Sequence, residues 1–133
     1  RQRKWLTMKI KISVLLLMVA LVFTACAVSG PEANAKKFII AINAMNWDDA
    51  MKLSTTEGAQ VLQTLKGLMG MMSQEQINQS KKNLKSSDIT IVSSKVDGDT
   101  ATIVYKLKGE DNENTLNMKK VDGQWKANYS KNF

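Results

Sequence analysis

The chain has 133 residues, 44% of them hydrophobic, with one cysteine, no histidine and a formal charge of +7. Of its 19 Lys/Arg and 12 Asp/Glu, five basic residues and no acidic ones fall in residues 1–25, which leaves +2 for the remainder. That near-balance excludes the basic footprint of a nucleic-acid-binding domain. Without histidine and with a lone cysteine, one chain cannot build a His/Cys zinc site, a Ser-His-Asp or Cys-His catalytic centre, or an internal disulfide.

The chain begins on Arg1, and Met8 opens a segment with the form of a secretory leader. Lys9 and Lys11 supply positive charge, Ile12 to Ala25 is apolar, and the stretch ends in small residues. Its fourteen residues fall short of the roughly 20 that span a bilayer as a helix, so a cleaved leader is expected rather than a retained anchor. Phe23-Thr24-Ala25-Cys26 resembles a bacterial lipobox, with Phe23 where that pattern prefers Leu. The resemblance implies that Cys26 receives a diacylglyceryl group, that the leader is cut before it, and that the new amino terminus is acylated. Each buried methylene adds about 0.8 kcal/mol and a single acyl chain is marginal, so two or three chains make Cys26 a durable tether.

Residues 1–25 are therefore expected as a leader with an upstream extension, 26–30 as the lipidated cysteine and a short linker, and 31–133 as one folded domain. Position 27 is Ala, not the Asp that resembles an inner-membrane retention signal. No acidic cluster follows the cysteine as it does in some surface-exported lipoproteins. The expected location is the cell envelope, lipid-anchored at the outer membrane and facing the periplasm.

Pro31 suits a first helical turn, with Glu32 near its positive end. Ala35, Phe38, Ile42 and Met45 recur at helical spacing and predict a helix of about fourteen residues. Asn46 caps a short second helix from Trp47 to Leu53. Thr55 or Thr56 opens a third, with Val61, Leu62, Leu65, Leu68, Met69 and Met72 as an apolar stripe. Ser73 and Gln76 form a capping-box pair that starts a fourth helix running toward Leu84. After Ser86-Ser87 the period becomes alternating, and strands are predicted at Asp88 to Val96, Ala101 to Leu107, Thr115 to Val121 and Trp125 to Tyr129. Val-Asp-Gly occurs at 96–98 and again at 121–123, each time marking a hairpin.

In the first hairpin, a three-residue bulged turn would put Ile89 and Ile91 on the face of Ile103 and Tyr105, whereas a two-residue turn would split them. In the second, a two-residue turn aligns Leu116 and Met118 with Trp125, Ala127 and Tyr129. Helices followed by an antiparallel meander define an α+β domain in which helices cover one sheet face. Phe38, Ile42, Leu65, Ile103 and Trp125 are the expected core.

PEANAKKFIIAINAMNWDDAMKL, the helices after it and the hairpin ending VDGQWKANY resemble the small bacterial lipoproteins grouped as domain of unknown function 4878, in the nuclear-transport-factor-2-like superfamily. The resemblance covers nearly all of residues 31–133 and rests on the turn at Trp47 to Ala50 and on the hairpin at Asp122 to Trp125. It implies a cone-shaped fold, a curved four-stranded sheet around a long helix, with a pocket at the open end.

An apolar small molecule bordered by Trp47, Met69, Met72, Tyr105 and Trp125 is the expected ligand site, with the glycines at 67 and 70 making the methionine segment adaptable. No cofactor, metal or catalytic residue is expected. The leading function is a non-enzymatic, membrane-anchored binding or interaction module. Two alternatives stand beside it. One is an accessory envelope protein that associates with a protein partner through its sheet. The other is an isomerase or dehydratase using an Asp/Tyr pair, with Tyr105 or Tyr129 as donor.

Overall fold

The computed structural model describes residues 30–130. The leader, the lipobox-like residues and Cys26 lie outside the described residues.

Four α-helices precede a four-stranded antiparallel sheet of order β1-β2-β3-β4. Helix α1 spans Pro31–Asn43, α2 Trp47–Lys52, α3 Thr56–Met69 and α4 Gln74–Ser80; strand β1 spans Ile89–Asp97, β2 Thr100–Leu107, β3 Asn114–Val121 and β4 Gln124–Ala127. A 3-10 turn at Ser86–Asp88 leads into β1.

Helix α1 buries Ala35, Phe38, Ile39 and Ala41, and ends two residues before Met45. Met45 is not part of its apolar face: it takes φ 55, the amide of Asn46 donates to Ala41 O at 2.9 Å, and that of Met45 to Ile42 O at 3.1 Å. These crossed bonds around a left-handed residue are a Schellman stop, which satisfies carbonyls the helix would otherwise leave open. Asn46 then caps α2, its Oδ1 accepting from the Asp49 amide at 3.5 Å while its Nδ2 donates to Asp49 Oδ2 at 2.7 Å. Thr55 caps α3 by accepting from the Gly58 amide at 3.1 Å.

The capping box at Ser73 and Gln76 forms as the spacing predicts. Helix α4 nevertheless stops at Ser80 rather than near Leu84. It buries no residue, and a short helix without a packed face has little to sustain it. The amide of Lys82 leaves the helical pattern and donates to Asn43 O at 2.8 Å. The apolar stripe predicted for α3 is likewise less deeply buried than its sequence suggests: Leu62 and Leu65 are buried, Val61, Met69 and Met72 are partly exposed, and Leu68 is 53% exposed.

The first hairpin reverses through Gly98-Asp99, a two-residue turn with Asp97 opposite Thr100 and Gly98 at φ +58. That turn alone would divide the apolar residues between the faces. A bulge between Ile91 and Ser93 restores them, so that Ile91 faces Tyr105 and Ile89 faces Leu107. The second turn places Asp122 at φ 51 and Gly123 at φ 77, the positive pair of a type I′ hairpin. It sets Met118 opposite Ala127 and Lys120 opposite Trp125.

The core joins α1, α3 and one face of the sheet: Phe38, Ile39, Leu62, Ile103 and Met118 are fully enclosed, with Leu65 and Trp125 each 7% exposed. Ile42 packs against this core but stays partly exposed. The amide of Asn34 ties α1 to β4 by donating to Trp125 O at 3.0 Å. The free side of β4 is covered, since Ala127 donates to Leu53 O at 2.8 Å and accepts from the Thr55 amide at 2.9 Å.

Candidate functional site

The bulge at Ile91/Ser93 and the Tyr105–Asn114 pairing of β2 and β3 set the open end of the core. Tyr105 is directed to the helix-covered face because it shares that face with Ile103 and Leu107 at alternate positions of β2. Tyr129, two residues past the end of β4, comes back over α1, and its ring stands 5.7 Å from that of Phe38, tilted by 49°. Beside these aromatic side chains lies a cleft of about 290 Å³, lined by Phe38, Ile42, Asn43, Tyr105, Thr115, Leu116, Asn117, Asn128, Tyr129 and Ser130.

Its lining mixes apolar and uncharged polar residues, and Phe38 and Leu116 offer little surface, being 1% and 6% exposed. Asn43 donates through Nδ2 to Ile39 O at 2.8 Å, which leaves its carbonyl oxygen for another partner. Asn128 accepts at Oδ1 from Thr55 Oγ1 at 3.2 Å, which leaves its amino group. Burial raises the pKa of Tyr105 above the usual 10.0, and neighbouring Tyr129 and Glu110 add to the rise. Burial raises Tyr129 too. Both phenols therefore stay protonated at neutral pH, each able to donate and accept. Asn114, paired across the ladder with Tyr105, keeps a buried Nδ2 without a hydrogen-bond partner among the described residues. An unmet buried donor costs about 1–3 kcal/mol.

The five residues expected to border an apolar ligand are not gathered in this cleft, where only Tyr105 appears. Trp125 is packed in the core, with the Lys120 ammonium 5.8 Å from its ring centroid. Trp47 begins α2 and is partly buried against the core. Met69 and Met72 sit at the far end of α3, partly exposed. The separation has a physical cause: past Leu65, α3 contributes no side chain to the core, and Met69 and Met72 are not among the hydrophobic residues packed against it. Phe38, Asn43 and Asn128 escaped the sequence reading as site residues. Finding them requires knowing that the chain after β4 folds back over α1, which no local pattern encodes.

No carboxylate lines the cleft, so an Asp/Tyr pair is not assembled there. Glu110, the acidic group that bears on Tyr105, is held by Lys82 at 2.6 Å. Among the described residues no group of three His, Cys, Asp or Glu converges as a metal site. Two other recesses have different chemistry. One of about 470 Å³ beside β4 mixes Glu57 and Asp122 with Lys119 and Lys126, and its Lys126 ammonium is already engaged by Lys52 O at 2.9 Å. The other, of about 420 Å³, is an open apolar groove between α1 and α2 that includes Ile40, Ala44 and Leu53.

Compared with protein-family models, curated proteins and solved structures, the chain matches none. The class defined by the described residues is thus an α+β domain with helices on one face of an antiparallel meander. Among those residues no helix is long and apolar enough to cross a membrane.

Proposed function

We propose that this chain is a lipid-anchored protein of the bacterial cell envelope that binds a small uncharged ligand in the tyrosine cleft, without catalysis. Its anchor is Cys26, and its location is the outer membrane facing the periplasm. Its fold is the cone of the nuclear-transport-factor-2-like superfamily, in the group resembling domain of unknown function 4878. The element order, four helices and then a four-stranded meander with α1 against the inner face, supports that relationship.

One observation carries the binding reading. The cleft sets two partly exposed tyrosines beside Ile42, Asn43 and other uncharged residues, a mixture of apolar and polar groups of the kind that recognises a ligand by shape and a few polar contacts. The sheet-association alternative finds less support. The outward face of β2 and β3 presents Thr100, Thr102, Lys106, Thr115, Asn117 and Lys119, with Val104 and Val121 set among them, a mostly polar surface rather than a contiguous apolar patch.

Metabolic labelling with a fatty acid in a bacterial host tests the anchor. The unsubstituted chain should be labelled and Cys26→Ser should not; equal labelling of both, or of neither, removes the tether from the proposal. A hydrophobic fluorescent probe tests the cleft, with saturable binding expected and weakened by Tyr105→Ala.

A further inference from the structure

We propose that Met71, just past the end of α3, is a reversible oxidation site, whose thioether takes an oxygen atom from an aqueous peroxide while the domain stays folded. The inference is independent of the cleft and of its ligand.

Position comes first. Gly70 ends α3 in a right-handed conformation, φ −63 and ψ −16, and the amides of Met71 and Met72 donate to Leu68 O at 3.1 Å and Met69 O at 3.0 Å. These are main-chain bonds, which do not depend on the Met71 side chain. Met71 is 84% exposed and Leu68 53%, Met69 and Met72 are partly exposed, and none of the four belongs to the core or packs against it. The other described methionines differ. Met118 is 1% exposed, Met51 packs against the core, and Met45 is partly exposed in the left-handed stop after α1.

Chemistry separates them further. A lone pair of the sulfur attacks one oxygen of hydrogen peroxide, the O–O bond breaks, and the other oxygen leaves with both hydrogens as water; sulfur gives up two electrons and gains an S=O bond. A thioether has no proton to lose, so no neighbouring base is needed and access sets the rate. Peroxide reaches Met71 in the folded state, whereas for Met118 it must wait for an opening that exposes the core. The products differ as well. A sulfoxide is polar, so at position 118 it would bury an unpaired acceptor, while at position 71 it adds a hydrated oxygen to the surface. Oxidation of Met71 thus makes polar an apolar tip shared with Leu68. Methionine sulfoxide reductases reverse the change, releasing the oxygen as water while a dithiol closes to a disulfide, and the exposed side chain is open to them.

The test treats the full chain, held in a peroxide-free zwitterionic detergent, with hydrogen peroxide and follows each described methionine by peptide mapping and mass spectrometry, with N-acetylmethionine in the same solution as reference. Met71 should oxidise within about threefold of the reference rate, and Met118 at least about tenfold more slowly. In urea the two rates should converge. Circular dichroism should be unchanged when Met71 is converted, a reductase with dithiothreitol should restore the thioether, and Met71→Leu should remove the fast product while leaving the Met118 rate as it was. If that variant fails to fold, the site-by-site rates of the unsubstituted chain still decide. Protection of Met71 to the level of Met118 overturns the proposal, since the sulfur would then be covered in solution. Loss of the fold in step with Met71 conversion overturns it too, as does a sulfoxide that the reductase does not reverse.

Discussion

Phe38 and Tyr129 meet edge-on-tilted at 5.7 Å, and this contact joins the first helix to the residues that follow the last strand. One ring belongs to the enclosed core and the other to the mouth of the cleft. The packing of the fold and the shape of the site therefore depend on the same pair.

Removing the inner ring should be costly. Phe38 is 1% exposed, and truncating such a side chain to Ala loses about 3–5 kcal/mol. Trp125→Ala should cost a similar amount. Urea unfolding measures both, and a shift in midpoint within error for Trp125→Ala would contradict its place in the core.

Two glycines of the same helix should respond with opposite sign. A methyl at Gly58 would stand 3.1 Å from Ala127 O and from Tyr129 N, backbone atoms whose neighbours are fixed by the ladder. Overpacking of this kind costs about 1–3 kcal/mol, which outweighs the gain in helix propensity. At Gly67 nothing lies within 4 Å, so Gly67→Ala should stabilise by up to about 1 kcal/mol. Thermal denaturation of the two variants side by side checks the contrast.

Leu68→Ser and Met71→Ser should change stability by less than about 0.5 kcal/mol, as exposed substitutions away from packed features do. Equilibrium unfolding by urea checks this. A larger loss would mean that the end of α3 is covered in solution.

The tyrosines predict an alkaline limit. Their folded pKa values lie above the usual 10.0, so between that value and the raised one the unfolded chain releases protons that the folded chain retains. Stability is then complete below pH 10 and falls as pH rises through the raised values. Phenolate absorbance should appear later than in the urea-unfolded chain, and Tyr105→Phe should lessen the alkaline loss of stability.

The helix starts were legible because capping is local: Asn46, Thr55 and the Ser73–Gln76 pair each act within three residues. The second hairpin was legible for the same reason, since Asp-Gly selects its turn. The bulge at Val92 was not, because it answers to the burial of Ile89 and Ile91 against a strand that comes later. The stop at Met45 was hidden too, as a left-handed methionine has no sequence signal. As for the site, Tyr105 was recognisable as an aromatic on an alternating strand. Its companions were assembled by the return of Tyr129 over α1, and Met69 and Met72, expected at the border of a ligand site, do not line the cleft.

The cover that Leu53 and Thr55 place on β4 gives the sheet a terminus. Among the described residues the sheet stays open along β1, where the bulge breaks the even spacing of amide groups and Lys95 sets a charge near the end of the strand. One side is sealed and the other is ill-matched to a copy of itself. Molecules crowded side by side would thus lack the two matched ends that a growing fibre requires.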